Sequence, residues 1–136
     1  MMKVEFTIPI KPVAKQRPRL AKNGHVYTPA NTKVFEHIVT LTYGNKPCFN
    51  KEFIKVKAMF RFKVPNSYTK AQKHEAIIGN LRPTKGDVDN YIKALLDGLN
   101  GVAWTDDRYI VKIEAEKKYA NEEGIDVVIE NVLRET

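Results

Sequence analysis

The sequence predicts an α+β domain in which a mixed or largely antiparallel sheet packs with helices. Three observations predict it. Residues 53–64 alternate, with Ile54, Val56, Ala58, Phe60, Phe62 and Val64 at the even positions, which is the period of a strand with one buried face. Val88, Tyr91, Ile92, Leu95, Leu96 and Leu99 recur at the spacing of one buried helix face. Strand runs joined by short turns fill most of the rest, in the order βαβ(α)αββ. The chain has 136 residues, so 1–136 reads as one domain, long enough to bury a core without staples.

Val4, Phe6, Ile8 and Ile10 alternate with polar neighbours, so residues 3–10 predict a half-buried strand. A Pro- and Arg-rich segment follows, with Asn23-Gly24 as a tight hairpin turn between arms near 17–22 and 25–28. Thr28-Pro29 reads as the cap and first residue of a helix, with Val34, Phe35, Ile38, Leu41 and Thr42 facing inward and Gly44 ending it. Residues 45–51 are a turn into the 53–64 strand. That strand's odd positions carry Lys55, Lys57, Arg61 and Lys63, a cationic outer face. Thr69 with Gln72 forms a capping box for a short helix over 70–78, closed by Gly79. Past the Leu99 helix and its Gly101 stop, Tyr109, Val111, Ile113 and Ala115 mark another half-buried strand. A turn at 121–124 then leads to Ile125, Val127 and Ile129, a last strand expected to pair back on its predecessor.

Charge is divided unevenly along the chain. The net charge is +7, but residues 1–86 hold 17 basic and 4 acidic side chains, while residues 87–136 hold 6 and 12. Such asymmetry points to a polyanion partner for the first part. Lys15, Arg17, Arg19 and Lys22, in the Pro-rich segment, are the candidate DNA-binding residues; a solvated loop is the plainer alternative. Cys48 is the only cysteine, so no intramolecular disulfide is possible, which fits a reducing cytoplasm. No apolar run approaches membrane-spanning length, and His25, His37 and His74 lack zinc-ligand spacing.

Against this basic background, carboxylates bracket one helix. Asp87 and Asp89 stand at its start, Asp97 lies on its polar stripe with Asp89 and Lys93, and Asp106 and Asp107 follow its end. Converging carboxylates need a compensating cation, and hard Mg²⁺ accepts all-oxygen ligands. Such ions activate water and stabilise leaving oxygens in phosphodiester hydrolysis. The same residues also suit plain structural roles, because Asp caps helices and pairs with lysine one turn away.

The stretch Gly86–Ile110 resembles the signature of the RusA family of Holliday junction resolvases. The matching residues are Asp87, Asp89, Asn90, Lys93, Asp97-Gly98-Leu99 and Asp106-Asp107. The resemblance implies a homodimeric, Mg²⁺-dependent endonuclease, with Mn²⁺ as a substitute, that cuts four-way or branched DNA symmetrically and has no membrane partner. It implies Asp87, Asp89 and Asp107 as catalytic metal ligands, with Asp106 as the alternative ligand in the closing pair, and Lys93 as the essential lysine. A non-catalytic nucleic-acid-binding protein and a nuclease acting on other branched or flap DNA are the competing readings.

Overall fold

The computed structural model describes residues 2–16, 19–27 and 29–132; for Arg19 and Tyr27 it describes the backbone alone. Strand β1 (Lys3–Ile8) leads to a small hairpin of β2 (Arg19–Leu20) and β3 (Val26–Tyr27). Helix α1 (Ala30–Tyr43), strand β4 (Ile54–Lys63), helix α2 (Lys70–Ile77) and helix α3 (Val88–Leu99) follow. A short 3-10 turn (Asp107–Tyr109) opens β5 (Ile110–Ala120), and β6 (Gly124–Asn131) ends the described chain.

The main sheet has the order β1-β6-β4-β5. Strand β4 runs parallel to β5, while β6 is antiparallel to both β1 and β4. The sheet is therefore mixed, and with its helices it forms the α+β domain that the alternation predicts. One expectation is corrected: β6 does not pair with β5. The link at 121–123 carries the chain past the end of β4, and β6 inserts between β1 and β4. Arg61 on β4 holds this passage, donating to the Glu122 carbonyl at 2.9 Å and to both carboxylate oxygens of Asp126. The physical reason is burial. Ile125, Val127 and Ile129 are at most 1% exposed, and a central strand covers such residues better than an edge.

Leaving β5 at the edge has a second consequence. Val111 and Ile113, expected inside, are 55% and 46% exposed. A register shift between Ile54 and Lys55 sets Ile110 and Lys112 opposite consecutive β4 residues, so Val111 drops out of the pairing.

Helices α1 and α3 pack on each other. The buried face of α1 is Thr32, Phe35, Val39 and Tyr43. This corrects the expected face, because Val34 and Leu41 are exposed and the face is turned toward Phe35 and Tyr43. Those two rings fill more volume, and Phe6 meets Tyr43 edge-on at 5.3 Å between centroids. The helix starts at Ala30 after Pro29; the expected cap, Thr28, lies outside the described residues. The capping box at Thr69 and Gln72 forms in both directions.

Helix α3 buries Tyr91, Ala94, Leu95, Gly98 and Leu99. Gly98 is the point of closest approach to α1: a Cβ there would lie 2.8 Å from Val39 Cβ. Truncating Leu95 or Leu99, both 0% exposed, to alanine would cost about 2–5 kcal/mol. Among the described residues no helix is long and apolar enough to cross a membrane.

Candidate acidic site and nucleic-acid interface

Asp87 occupies the N-cap position of α3 with extended backbone, φ −90° and ψ 138°, yet its side chain makes no capping hydrogen bond. Asp89, in the first turn, is exposed as well. The chain just before them is fixed from three directions. Lys117 on β5 donates from Nζ to the Gly86 carbonyl at 2.7 Å. The Tyr91 hydroxyl donates to the Lys85 carbonyl at 3.2 Å. Gly86 sits at φ +76°, where a Cβ would lie 2.5 Å from the Tyr91 hydroxyl, so only glycine fits. Asp87 is thus held in place by its backbone while its carboxylate stays uncommitted.

The second acidic pair lies past the other end of the helix. The buried Trp104 donates from Nε1 to Asp107 Oδ1 at 2.7 Å. Asp106 accepts from the Arg108 backbone N–H at 2.9 Å and caps the 3-10 turn. Burial pushes the Asp107 carboxyl above its ordinary value; the Trp104 hydrogen bond opposes this, Asp97 and Asp106 push it further up, and Lys93 pulls it down.

A carboxyl whose folded value is raised favours folding in its protonated form. That contribution is complete below the ordinary carboxylate range and is lost as pH rises through the raised value. At neutral pH ionised Asp107 therefore costs stability. Asp107→Asn removes the charge and keeps an oxygen for Trp104. In EDTA the variant should melt at or above the wild-type temperature at pH 7, with the gap closing as pH falls into the carboxylate range. A clear drop in melting temperature at pH 7 would contradict this electrostatic account of Asp107.

Between the two acidic pairs, Asp97 is the hub. Lys15 reaches Asp97 at 3.1 Å and Glu36 on α1 at 2.5 Å, while Lys93 lies 3.9 Å from Asp97. Burial lowers the Lys15 pKa, but hydrogen bonds and charge from Glu36 and Asp97 outweigh it and leave the ammonium raised. The Lys15 backbone N–H also donates to the Asn90 carbonyl at 2.8 Å. The segment before the hairpin is thereby tied to both helices.

The structure brings Asp107, Asp97, Asp106 and Lys93 into one electrostatic neighbourhood. Asp87 stands apart at the helix start, ten positions before Asp97, or about 15 Å along the axis. Among the described residues no group of three His, Cys, Asp or Glu side chains is close enough to hold one metal ion. The donor set fits a hard divalent cation in chemistry, being all carboxylate oxygen. The charge cost at Asp107 is also of the kind that a bound cation relieves. Three ligands around one ion are not assembled.

Of the candidate DNA-binding residues, Lys22 is exposed in the hairpin turn. Arg17 and the side chain of Arg19 lie outside the described residues. Lys15 is committed to Glu36 and Asp97, with only 18% of its side chain exposed. The outer face of β4 is less cationic than its own sequence suggests, because neighbouring strands interleave acids: Lys55 pairs with Glu114 at 3.1 Å and Arg61 with Asp126 at 2.9 Å. The residues that sequence reasoning missed are Glu36 and Lys117. Both act across long sequence separations, and no local spacing marks either.

The chain is similar to the uncharacterized protein YqaN of Bacillus subtilis (strain 168), 35% identical over 137 residues, which cover 95% of this chain and 96% of that protein. A family model described as endodeoxyribonuclease RusA matches residues 9–130. The matched span contains α3, both acidic pairs, Lys93 and the network around Asp97. The chain belongs to the RusA endodeoxyribonuclease family.

Proposed function

We propose that the protein is a Mg²⁺-dependent endonuclease, with Mn²⁺ as a substitute, that resolves four-way DNA junctions by paired symmetric cuts in recombination and repair. The observation that carries this reading is Asp107, a half-buried carboxylate oriented by Trp104 and crowded by Asp97 and Asp106 at a cost in its own ionisation. Charge kept where it is costly is a mark of a working site. Membership of an endodeoxyribonuclease family supplies the reaction class.

In this reading Asp87, Asp89 and Asp107 would hold the metal, with Asp106 as the alternative to Asp107. The metal supplies an activated water and stabilisation of the leaving oxygen. The chain's own residues do the rest. Lys93, 63% exposed and one turn beyond Asp89, offers an ammonium to the charge that develops on the scissile phosphate. Lys15 and Glu36 fix Asp97, and Asp97 and Asp107 together set the field in which Lys93 works. Divalent-metal titration of nicking tests the reading. Metal-dependent incision is expected; tight DNA binding with no incision at any metal concentration would favour a purely binding protein.

DNA contact by the basic first part should make affinity fall steeply with salt. Replacing Arg17, Arg19 and Lys22 with alanine should weaken binding and flatten the salt slope by about one unit per lost phosphate contact. An unchanged slope would move the DNA path away from the hairpin.

One acidic site per chain makes one cut, and a four-way junction needs two on opposed strands. A two-fold homodimer matches that symmetry, and two-fold dimers are the commonest oligomers. Sedimentation at micromolar concentration should give a dimer. A monomer that makes both incisions without associating on DNA would refute the assembly.

A further inference from the structure

A groove of about 740 Å³ opens beside the start of α3, where Lys85 and Gly86 form part of its wall, and is separate from the Asp97–Asp107 neighbourhood. It lies at the carboxyl ends of the parallel strands β4 and β5, a place where open sheets commonly receive ligands. Its volume falls within the range of small-molecule sites, about 300–1,000 Å³. Phe62 and Tyr119, opposite each other in the β4–β5 register, supply aromatic surface. Tyr91, also in the groove wall, meets Phe62 edge-on at 5.3 Å between centroids. The Tyr68 hydroxyl lies 3.4 Å from that of Tyr119. The Phe62 and Tyr119 rings are half-buried, and both line the groove, Phe62 while also packing against the core.

Charge marks the occupant. Lys11, Lys63 and Lys85 line the same groove against one carboxylate, Glu123; all three lysines are exposed, and none makes an ion pair among the described residues. This differs from Lys55 and Arg61 on β4 and from Arg82, each of which has a carboxylate partner. Aromatic faces flanked by uncommitted lysines are the combination that holds single-stranded nucleic acid, with stacking on the base and cations on the backbone.

We infer that the groove takes an unstacked nucleotide of the DNA strand that passes Asp87, its base against Tyr119 and Phe62 and its phosphates near Lys63 and Lys85. The inference rests on the nuclease reading above and adds how a branch point would be chosen. Extruding a base costs least where pairing and stacking are already broken, so a groove for one extruded nucleotide favours branched over linear DNA.

The test is equilibrium binding in EDTA, where cutting plays no part. Four-way junctions carry one abasic site at successive nucleotides flanking the branch. Wild-type protein should lose about tenfold in affinity at one position and little elsewhere. Tyr119→Leu should lose a similar factor on the intact junction and nothing further on that abasic junction, because the stacked pair is then already broken. Lys63→Gln with Lys85→Gln, both exposed, should weaken binding and flatten its salt dependence; this pair and the wild-type scan decide the matter if Tyr119→Leu fails to fold. A flat abasic scan with junction binding intact overturns the groove inference and leaves the nuclease reading standing. Failure to bind any branched DNA overturns both.

Discussion

Asp89→Asn and Asp107→Asn should each lower the rate of junction cleavage by about a hundredfold or more, with junction binding retained or strengthened. Asparagine keeps the shape of the side chain and removes its charge. If the acids serve a cation, each loss removes a ligand charge at the step where negative charge moves onto the leaving oxygen, and losing one such electrostatic contribution costs about 10²–10³ in rate. Binding should not suffer, because a carboxylate repels the phosphate backbone. Neither substitution threatens the fold: Asp89 is exposed with no ion-pair partner among the described residues, and Asp107 keeps an acceptor for Trp104 as asparagine. Single-turnover cleavage of a labelled junction in Mg²⁺, with affinity measured in parallel, checks this. Near wild-type rates in both variants would show that the acids only cap and pair.

Lys15→Met should destabilise the protein by about 3 kcal/mol, through the carboxylates it leaves behind. Glu36 and Asp97 are 25% and 26% exposed at their side chains, and Lys15 is the shared cation between them. Removing it leaves two partly buried negative charges facing each other across the α1–α3 contact, with, among the described residues, only the long 3.9 Å contact to Lys93 in partial compensation. Chemical denaturation should show a lower midpoint with an unchanged slope. Adding Glu36→Gln to Lys15→Met should recover part of the loss, because it removes one of the stranded charges. If Lys15→Met leaves stability unchanged but weakens DNA binding, the lysine belongs to the DNA interface. The raised Lys15 pKa gives a second check. Its contribution is complete below the ordinary lysine value and is lost as pH rises through the raised one, so on the alkaline side the wild-type advantage over Lys15→Met should persist until the solution is strongly alkaline.

The sequence made some of this legible and hid the rest for physical reasons. Strand β4 and helix α3 were legible because each has one strongly apolar face, and the apolar period alone then fixes the element. The capping box at Thr69 was legible because it is local. The partner of β6 was not: the strand has a hydrophobic face that any neighbour could cover, and Arg61 on a distant strand steers its insertion beside β4. The rotated face of α1 was missed because Val34 and Leu41 fit the period about as well as Val39 and Tyr43, and only the position of α3 decides between them. At the site, the acids were legible from spacing and resemblance. Their electrostatic order was not, since it depends on Lys15, which the fold brings to Asp97 together with Glu36, and on the burial of Asp107 beside Trp104. Likewise, the cationic face of β4 read from one strand ignores the acids that β5 and β6 bring beside it.

Junction-specific, metal-dependent cleavage is decided by one substrate panel. Four-way, three-way, flap and linear DNAs of matched sequence are incubated with the protein, with and without Mg²⁺, and the products are mapped on both strands. Incision is expected only with the metal, fastest on the four-way junction, at paired symmetric positions on opposed strands. Metal-independent products, or equal cutting of linear and four-way DNA, would contradict it.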